Sequence, residues 1–306
     1  MTADTTTKIL KKGEIVNETY TVDFFIGQGA FGEVYRVKHK FFDDLQVMKI
    51  LKNESTEKIS FDEMANEARV LAKLTHPNII KVFNANTFTK NGKQHFFITM
   101  GFVSGESLSQ LLKRKIQLPV PVARKLMIDV LRGLDAAHSH HPTVIHRDIN
   151  SDNILLSYEN DSPIALLGDF GISMTLGQDS KLAGAGGRYL YFAPECFWNC
   201  YLPSSDVFSA GVVFYKMLTG IHPWEYDFDG YRLDDPEDIS KMIHSGRKAP
   251  CKSPSLFNEA IDKKLESIVL KSLETNMEKR YRTASEFLRA LEGTCNAEPI
   301  PENYWR

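Results

Sequence analysis

A short polar segment between two apolar runs constrains this chain more than any other feature. Residues 146–153, which read HRDINSDN, follow the apolar pair Val144–Ile145 and precede Ile154-Leu155-Leu156. The flanking runs are typical of two short strands. Polar groups that are wholly or half buried cost free energy unless they are bonded, so this concentration of charge indicates a loop that binds something. We call residues 146–153 the polar loop.

Three side chains in and after the polar loop are suited to accepting a proton or holding a metal ion. Asp148 and Asn153 are five residues apart, which is too far for a local turn but suitable for facing one pocket. Asp148 could accept a hydroxyl proton, and Asn153 could hold a metal ion. Asp169 adds a second carboxylate after the apolar run 164–168. A His-Arg-Asp tripeptide alone is more often an ordinary surface loop, so this interpretation depends on the rest of the chain.

A glycine-rich turn lies near the start of the chain. The strand-like run 20–26 leads into Gly27, Gly29 and Gly32, and strand-like residues resume at 34–37. Glycine lets backbone N–H groups approach a phosphate closely. A helix after the glycines would indicate a dinucleotide fold, whereas a strand favours a hairpin that covers phosphates. Simple turn chemistry remains an alternative explanation for the three glycines.

A lysine and a glutamate form a candidate ion pair. Lys49 interrupts the apolar strand 45–51, and Glu67 adjoins the apolar stripe of a helix predicted over 61–74. A carboxylate that faces inward needs a cation, and Lys49 is available. Glu63, one turn earlier, is the second choice of partner. A solvated lysine at a strand edge is the ordinary alternative.

Composition excludes some classes of protein. The 306 residues carry a net charge of −2, which gives no reason to expect nucleic-acid binding. No apolar run is long enough to span a bilayer, and the Thr-rich start is not a signal peptide. The four cysteines form no Cys-x-x-Cys pair, as in reduced cytosolic proteins. We therefore expect a cytoplasmic protein.

The chain divides into a β-rich beginning and a helical remainder, which predicts an α+β fold. We expect a mobile lead-in at 1–19, a first lobe at 20–100 and a linker at 101–105. A second lobe over 106–293 and a tail over 294–306 complete the predicted organisation. Residues 172–190 read as a Gly/Ser-rich loop, and a loop of this length is usually functional or disordered.

Taken in order along the chain, these residues resemble the eukaryotic-type (Hanks-type) protein kinases, with a faint likeness to the bacterial Ser/Thr members. The resemblance covers roughly residues 20–291. It rests on Gly27/Gly29/Gly32/Val34, Lys49, Glu67, His146-Arg147-Asp148, Asn153, Asp169-Phe170-Gly171, Ala193-Pro194-Glu195, Asp206 and Arg280. Each element is weak alone, but the ordered set is specific. The resemblance implies a bilobal fold, with a β-rich N-lobe carrying one long helix and a mostly helical C-lobe.

The resemblance also implies a role for each candidate residue. Asp148 would accept the proton of the substrate hydroxyl, and Asn153 and Asp169 would hold Mg²⁺. Lys49 would contact the α- and β-phosphates of ATP, held by Glu67. The nucleotide would further contact Gly27, Gly29, Gly32, Val34, Val47, Met100, Gly101 and Val103. Glu195 would pair with Arg280 to brace the second lobe. The implied activity is transfer of the ATP γ-phosphate to Ser/Thr hydroxyls of proteins.

The chain departs from the family pattern beside Asp148. Where Ser/Thr kinases usually carry Lys two residues after this Asp, the chain has Asn150, and where they usually have Thr, Arg188 follows Gly187. We hypothesise that Arg188 replaces the lost positive charge from the other side. Val47 stands where a smaller Ala is usual, so the adenine pocket should be slightly narrower.

Regulation and rival functions follow from the same residues. Arg147 before Asp148 predicts control by phosphorylation of the 172–190 loop, with Thr175 or Ser180 as autophosphorylation sites. Ser173, Tyr189 and Tyr191 are weaker candidates. A nucleotide-binding pseudokinase scaffold stays open because of Asn150 and Arg188. A tyrosine or dual-specificity kinase and a small-molecule kinase of the same fold are further alternatives.

Overall fold

The computed structural model describes residues 8–29, 32–51, 61–158, 162–170, 187–294, 300 and 304–305. The chain forms two compact units. The first contains the described residues of Met1–Thr75 together with Ile80–Phe102. The second contains His76–Ile79 and the described residues from Val103 onward. The division between Phe102 and Val103 falls inside the predicted linker.

The first unit is an antiparallel sheet with one helix. Its six strands follow the order β1-β2-β3-β4-β6-β5. The strands are β1 (Ile15–Val16), β2 (Tyr20–Gly29), β3 (Gly32–His39), β4 (Leu45–Leu51), β5 (Val82–Lys90) and β6 (Lys93–Gly101). Helix α1 (Phe61–Lys73) packs against β5. Asn91 and Gly92 both have positive φ in the tight turn that joins β5 to β6, as the Asn-Gly pair predicts.

The N-terminal residues differ from the expected mobile lead-in. Leu10 is only 1% exposed and belongs to the hydrophobic core of the first unit, as does Val16 of β1. The backbone N–H of Ile9 donates to Glu33 at 2.9 Å, and that of Leu10 donates to the Tyr35 hydroxyl at 3.0 Å. The sequence did not reveal this packing because a single leucine among Thr and Lys residues carries no periodicity.

A second difference concerns residues 79–84, because the run Ile-Ile-Lys-Val-Phe-Asn is typical of a single strand that begins at Ile79. Strand β5 begins three residues later, at Val82, and continues to Lys90. Ile79 instead pairs with Leu167 in an isolated parallel bridge within the second unit. The apolar run that suggested one strand is therefore shared between two units of the molecule.

The second unit is mainly helical. Its helices are α2 (Leu108–Lys115), α3 (Val120–His138), α4 (Pro203–Thr219), α5 (Pro236–Gly246), α6 (Lys263–Ser272) and α7 (Ala284–Glu292). A small sheet has the order β7-β8-β9, with β7 (Gly105–Ser107), β8 (Ile154–Ser157) and β9 (Ile164–Leu167). Short 3₁₀ helices occupy Arg188–Tyr191, Pro194–Trp198 and Pro254–Leu256.

Helix α4 is the central element of the second unit. Nearly all of its side chains are buried, and it packs on α3, α6 and α7. Its close approach to α6 requires Gly211, because a Cβ there would lie 2.4 Å from the Ser272 hydroxyl oxygen. From the sequence, Ser204 or Ser205 could cap a helix that starts at Asp206. The helix begins at Pro203 instead, because proline is favoured in the first turn, and both serines lie inside it.

These two units confirm the predicted α+β class, with a β-rich first part that carries one helix and a helical second part. None of the helices in the described ranges is long and apolar enough to cross a membrane. The cysteines at 196, 200 and 251 are free thiols.

Candidate active site

The backbone of the polar loop is held by hydrogen bonds to the first turn of α4. The carboxylate of Asp206, in the first turn of α4, accepts the backbone N–H groups of His146 at 2.7 Å and Arg147 at 2.8 Å. It also contacts His138 Nε2 at 2.9 Å. Arg147 has a φ of +67°, a conformation that is strained for a residue with a side chain. The two bonds to Asp206 hold the loop in this conformation.

Asp148 is surrounded by hydrogen-bond donors. Only 3% of the residue is exposed. The side-chain amides of Asn150 and Asn153 donate to Oδ1 at 2.9 Å and to Oδ2 at 2.6 Å. Arg188 adds a fork, with Nε at 3.1 Å from Oδ1 and Nη2 paired with Oδ2. The carboxylate is thereby fixed in orientation and balanced in charge.

Asn150 has a local structural role in addition to its bond to Asp148. Its side-chain oxygen accepts the backbone N–H groups of Asp152 at 2.9 Å and Asn153 at 3.2 Å. This is the side-chain-to-backbone bonding that shapes an Asx turn. Asn150 therefore shapes the polar loop and contributes a neutral donor to Asp148.

The two predicted metal ligands are linked through the backbone. Gly168, which precedes Asp169, donates its N–H to the Asn153 carbonyl at 2.9 Å. The Asn153 side-chain nitrogen bonds Asp148, so its amide oxygen is the group that can face a cation. Asp169 has a φ of +57° at the end of β9. An amide oxygen and a carboxylate are the oxygen ligands that Mg²⁺ prefers, so these residues fit a magnesium ion.

His146 packs the polar loop against the residues around Asp169. It is fully buried, with Nε2 at 2.9 Å from the Gly168 carbonyl and its ring centroid 4.3 Å from that of Phe170. Burial lowers the pKa of His146, so the imidazole is neutral at physiological pH. Gly171 lies outside the described residues.

A buried ion pair braces the second unit, as the resemblance implied. Arg280 Nη1 donates to Glu195 Oε1 at 2.8 Å, and the Ser205 hydroxyl donates to the same oxygen at 2.7 Å. Burial acts to raise the pKa of Glu195, but the hydrogen bonds and charge of Arg280 outweigh it and lower that pKa. The pair joins the 3₁₀ helix Pro194–Trp198 to the turn that precedes α7.

Sequence reasoning missed Arg247, which follows α5. This buried side chain donates to the carbonyls of Phe192 at 2.6 Å and Leu190 at 3.0 Å. Its Nε bonds the Tyr226 hydroxyl at 3.1 Å. Arg247 therefore fixes the backbone beside Arg188. The sequence offered no signal, because an arginine at a helix end is usually solvated and the two backbone carbonyls that it contacts lie 55 and 57 residues away.

Arg147, the predicted partner of an added phosphate, has capacity for one. Its guanidinium carbon lies 5.7 Å from the centroid of the Tyr201 ring. Its buried Nε lacks a hydrogen-bond partner within the part of the chain that the structure describes. Thr175, Ser180 and Ser173 lie outside those residues. Tyr189 and Tyr191 are buried, which agrees with their lower rank as phosphate acceptors.

The first unit gathers the predicted nucleotide residues on one face of its sheet. In the strand register, Val34 lies opposite Lys49, and Val47 lies opposite Met100. Residues of β4 alternate, so Val47 and Lys49 share the half-buried face while their neighbours point into the core. The N–H of Gly101, at the end of β6, donates to the Lys81 carbonyl at 2.9 Å. Val103 is half buried in the second unit.

The glycines of the β2–β3 hairpin differ in why they are needed. A Cβ on Gly32 would lie 1.9 Å from the Ile50 carbonyl oxygen, so close strand packing requires that glycine. Among the described residues, a Cβ on Gly27 or Gly29 would meet nothing within 4 Å, and neither glycine has a positive φ. Packing and backbone conformation thus leave these two glycines unexplained. Close approach of a ligand such as a phosphate group would account for them.

Helix α1 presents the candidate partners of Lys49 with different burial. Glu67 is half buried and Glu63 is exposed, while Lys49 is half buried on β4. The inward orientation expected of the carboxylate therefore favours Glu67 over Glu63. Lys49, Glu67 and Glu63 all belong to the first unit.

Comparison with known proteins gives consistent matches. The protein kinase domain family matches residues 20–290. A probable serine/threonine-protein kinase of Clostridium perfringens is 30% identical over 286 residues, covering 92% of this chain and 39% of that protein. The tyrosine-protein kinase MasK of Myxococcus xanthus is 28% identical, covering 87% and 41%. The chain spans about two fifths of the length of these curated relatives.

Solved structures show the same fold. The crystal structure of the Mycobacterium tuberculosis PknI kinase domain matches with a TM-score of 0.68 at 25% identity. The match covers 93% of this chain and 99% of that domain.

Proposed function

This chain belongs to the protein kinase family, and from that premise we propose that it transfers the γ-phosphate of ATP to serine and threonine hydroxyls of protein substrates. The resemblance drawn from the ordered motifs is confirmed by the family match over residues 20–290. The observation that carries the proposal is the buried carboxylate of Asp148, oriented by Asn153 within a loop that Asp206 holds in place.

In the proposed reaction, Asp148 orients the substrate hydroxyl and accepts its proton as the oxygen attacks the γ-phosphate. Phosphoryl transfer needs mainly positioning and charge stabilisation. Asn153 and Asp169 would hold Mg²⁺, and the ion would supply positive charge for the phosphate oxygens. The backbone at Gly27 and Gly29 covers the phosphates, and Lys49, held by Glu67, contacts the α- and β-phosphates. The adenine contacts the remaining nucleotide residues, which are Val34, Val47, Met100, Gly101 and Val103.

Serine/threonine specificity is supported by the names of most of the similar kinases, such as the probable serine/threonine-protein kinase of Clostridium perfringens. MasK, at 28% identity, is named a tyrosine kinase, so residue type is a result to be measured. The use of ATP supports a cytoplasmic location for this domain. Arg147, whose buried Nε has no hydrogen-bond partner among the described residues, supports control by a phosphate on Thr175 or Ser180.

The direct test is transfer of labelled γ-phosphate from Mg-ATP by the wild-type protein and by Asp148→Ala, to itself and to a general protein substrate. We expect incorporation by the wild type and a loss of several orders of magnitude in the variant. Mapping by mass spectrometry should find phosphoserine or phosphothreonine, including sites between residues 172 and 186. Nucleotide binding without incorporation by either protein would instead support the pseudokinase scaffold.

A further inference from the structure

We propose that Arg188 is the positioning residue of Asp148 and supplies the positive charge that the polar loop itself lacks. The inference rests on the proposed function and adds a regulation to it. The transfer reaction would proceed only when the segment Gly187–Phe192 is in place, because that segment carries the charge.

The first support is the identity of the donors at Asp148. Of the described cationic side chains, Arg188 is the one bonded to this carboxylate, and it contacts both oxygens. The other side-chain donors, Asn150 and Asn153, are neutral amides. A carboxylate that is 3% exposed needs a compensating charge, and a two-pronged guanidinium also fixes its plane.

The second support is that Arg188 is itself half buried at this position. Burial lowers the pKa of its guanidinium to about 10, which still leaves it charged at physiological pH. Placing a long cationic side chain in such surroundings costs free energy that an exposed orientation would avoid. The fork on Asp148 offsets that cost, so the contact is a built feature of the site.

The third support is the way the segment is anchored. Arg247 bonds the carbonyls of Leu190 and Phe192 on either side of Tyr191. The Tyr191 hydroxyl lies 3.1 Å from the Ser151 hydroxyl of the polar loop and accepts from Lys216 at 3.2 Å. These contacts hold the segment against the polar loop independently of Arg188. Displacing the segment would therefore remove the charge from Asp148 without unfolding the loop.

Kinetic measurements on variants that move the positive charge from residue 188 to residue 150 test this assignment. Steady-state transfer rates are measured for the wild type, Arg188→Ala, Arg188→Lys, Asn150→Lys and the double variant Asn150→Lys/Arg188→Ala. The Asn150 side-chain nitrogen lies 2.9 Å from Asp148, so a lysine there can return a cation to the same carboxylate. Arg232→Ala serves as the matched control, because it removes an exposed arginine that pairs with the carboxylates of Asp235 and Asp238.

We expect Arg188→Ala to lower kcat by about tenfold to a hundredfold, as for loss of a charged hydrogen bond, with KM for ATP changed less than about twofold. Arg188→Lys should retain part of the rate. The double variant should recover most of the lost kcat, whereas Arg232→Ala should match the wild type. Recovery by a charge from the other side is a result that a merely structural arginine would not give.

Other outcomes overturn the proposal. An Arg188→Ala protein as fast as or faster than an active wild type would show that Arg188 is dispensable or obstructs Asp148. A folded double variant that stays as slow as Arg188→Ala would refute the charge role. An inactive wild type would overturn the proposed function together with this inference. Melting temperatures of all variants identify any loss of kcat that comes from misfolding. If Arg188→Ala does not fold, the kcat values of Arg188→Lys and of the double variant decide whether residue 188 acts through its charge.

Discussion

At the scale of single residues, burial changes the pKa values of several ionisable side chains in this domain. Burial raises the pKa of Cys196 to about 12 and lowers that of His222 to about 4. The same effect at Glu195 is outweighed by Arg280. Each of these shifts makes folding stability depend on pH in a direction fixed by the sign of the shift.

His222 gives a pH prediction. Its pKa falls from about 6.5 to about 4 because of burial and the charges of Lys216 and Arg247. Between those pH values the unfolded chain binds a proton that the folded chain does not, so the free energy of unfolding falls as pH falls from 6.5 to 4. Urea denaturation at several pH values should show a shallower decline for His222→Asn.

The exposed His141→Asn is the control for the number of histidines in this measurement. A decline for His222→Asn as steep as that of the wild type would show that other groups cause the acid sensitivity.

Much of the site could be predicted at this scale because the motif residues have fixed spacings. Asp148, Asn150 and Asn153 lie within six residues, so their mutual bonds follow from local geometry. Arg247 could not be predicted, since two of its partners are backbone carbonyls 55 and 57 residues away and the third is the Tyr226 hydroxyl. Arg188 was suggested by its unusual residue type, but its fork on Asp148 depends on how the segment 187–192 folds.

At the scale of elements, the β2–β3 hairpin combines a packing requirement with open space. Gly32 is needed for close contact with β4, whereas no atom of the described residues lies within 4 Å of a Cβ built on Gly27 or Gly29. The sequence shows three glycines at intervals of two and three residues. It does not distinguish the glycine required for strand packing from the two that have open space beside them. Only the distance to the neighbouring strand distinguishes them.

The hairpin prediction separates stability from nucleotide binding. Gly32→Ala should lower the free energy of unfolding by about 1–3 kcal/mol, because the added Cβ must push β4 away. Gly27→Ala and Gly29→Ala should leave the melting temperature unchanged and raise KM for ATP severalfold. Thermal melts and steady-state kinetics on the three proteins check this. A normal KM in both Gly27→Ala and Gly29→Ala would argue against phosphate contact at the hairpin.

At the scale of the whole molecule, nucleotide and magnesium should stabilise the fold together. Ligand at a hundred times its Kd adds about 2.7 kcal/mol to the free energy of unfolding. A nonhydrolysable ATP analogue with Mg²⁺ should raise the melting temperature more than the analogue with EDTA. Asp169→Ala and Asn153→Ala should lose that magnesium-dependent increment. An increment that persists in both variants would place the metal elsewhere.

The fold class and the division into two parts were predictable because strand alternation and helix periodicity are local patterns. The beginning of the chain was not, since Leu10 and Val16 enter the core without any such pattern. The sequence suggests a strand start at Ile79 rather than Val82 because Ile79 is buried for a different reason, a bridge to Leu167 within the second unit.

The packed N-terminal residues have a practical consequence for recombinant expression. The family match begins at residue 20, yet Leu10 and Val16 are part of the hydrophobic core, and β1 pairs along one edge of β2. A gene fragment cut at residue 20 would leave a gap in that core and a bare strand edge. Bare strand edges promote aggregation. Fragments for crystallisation or screening should therefore begin upstream of Lys8.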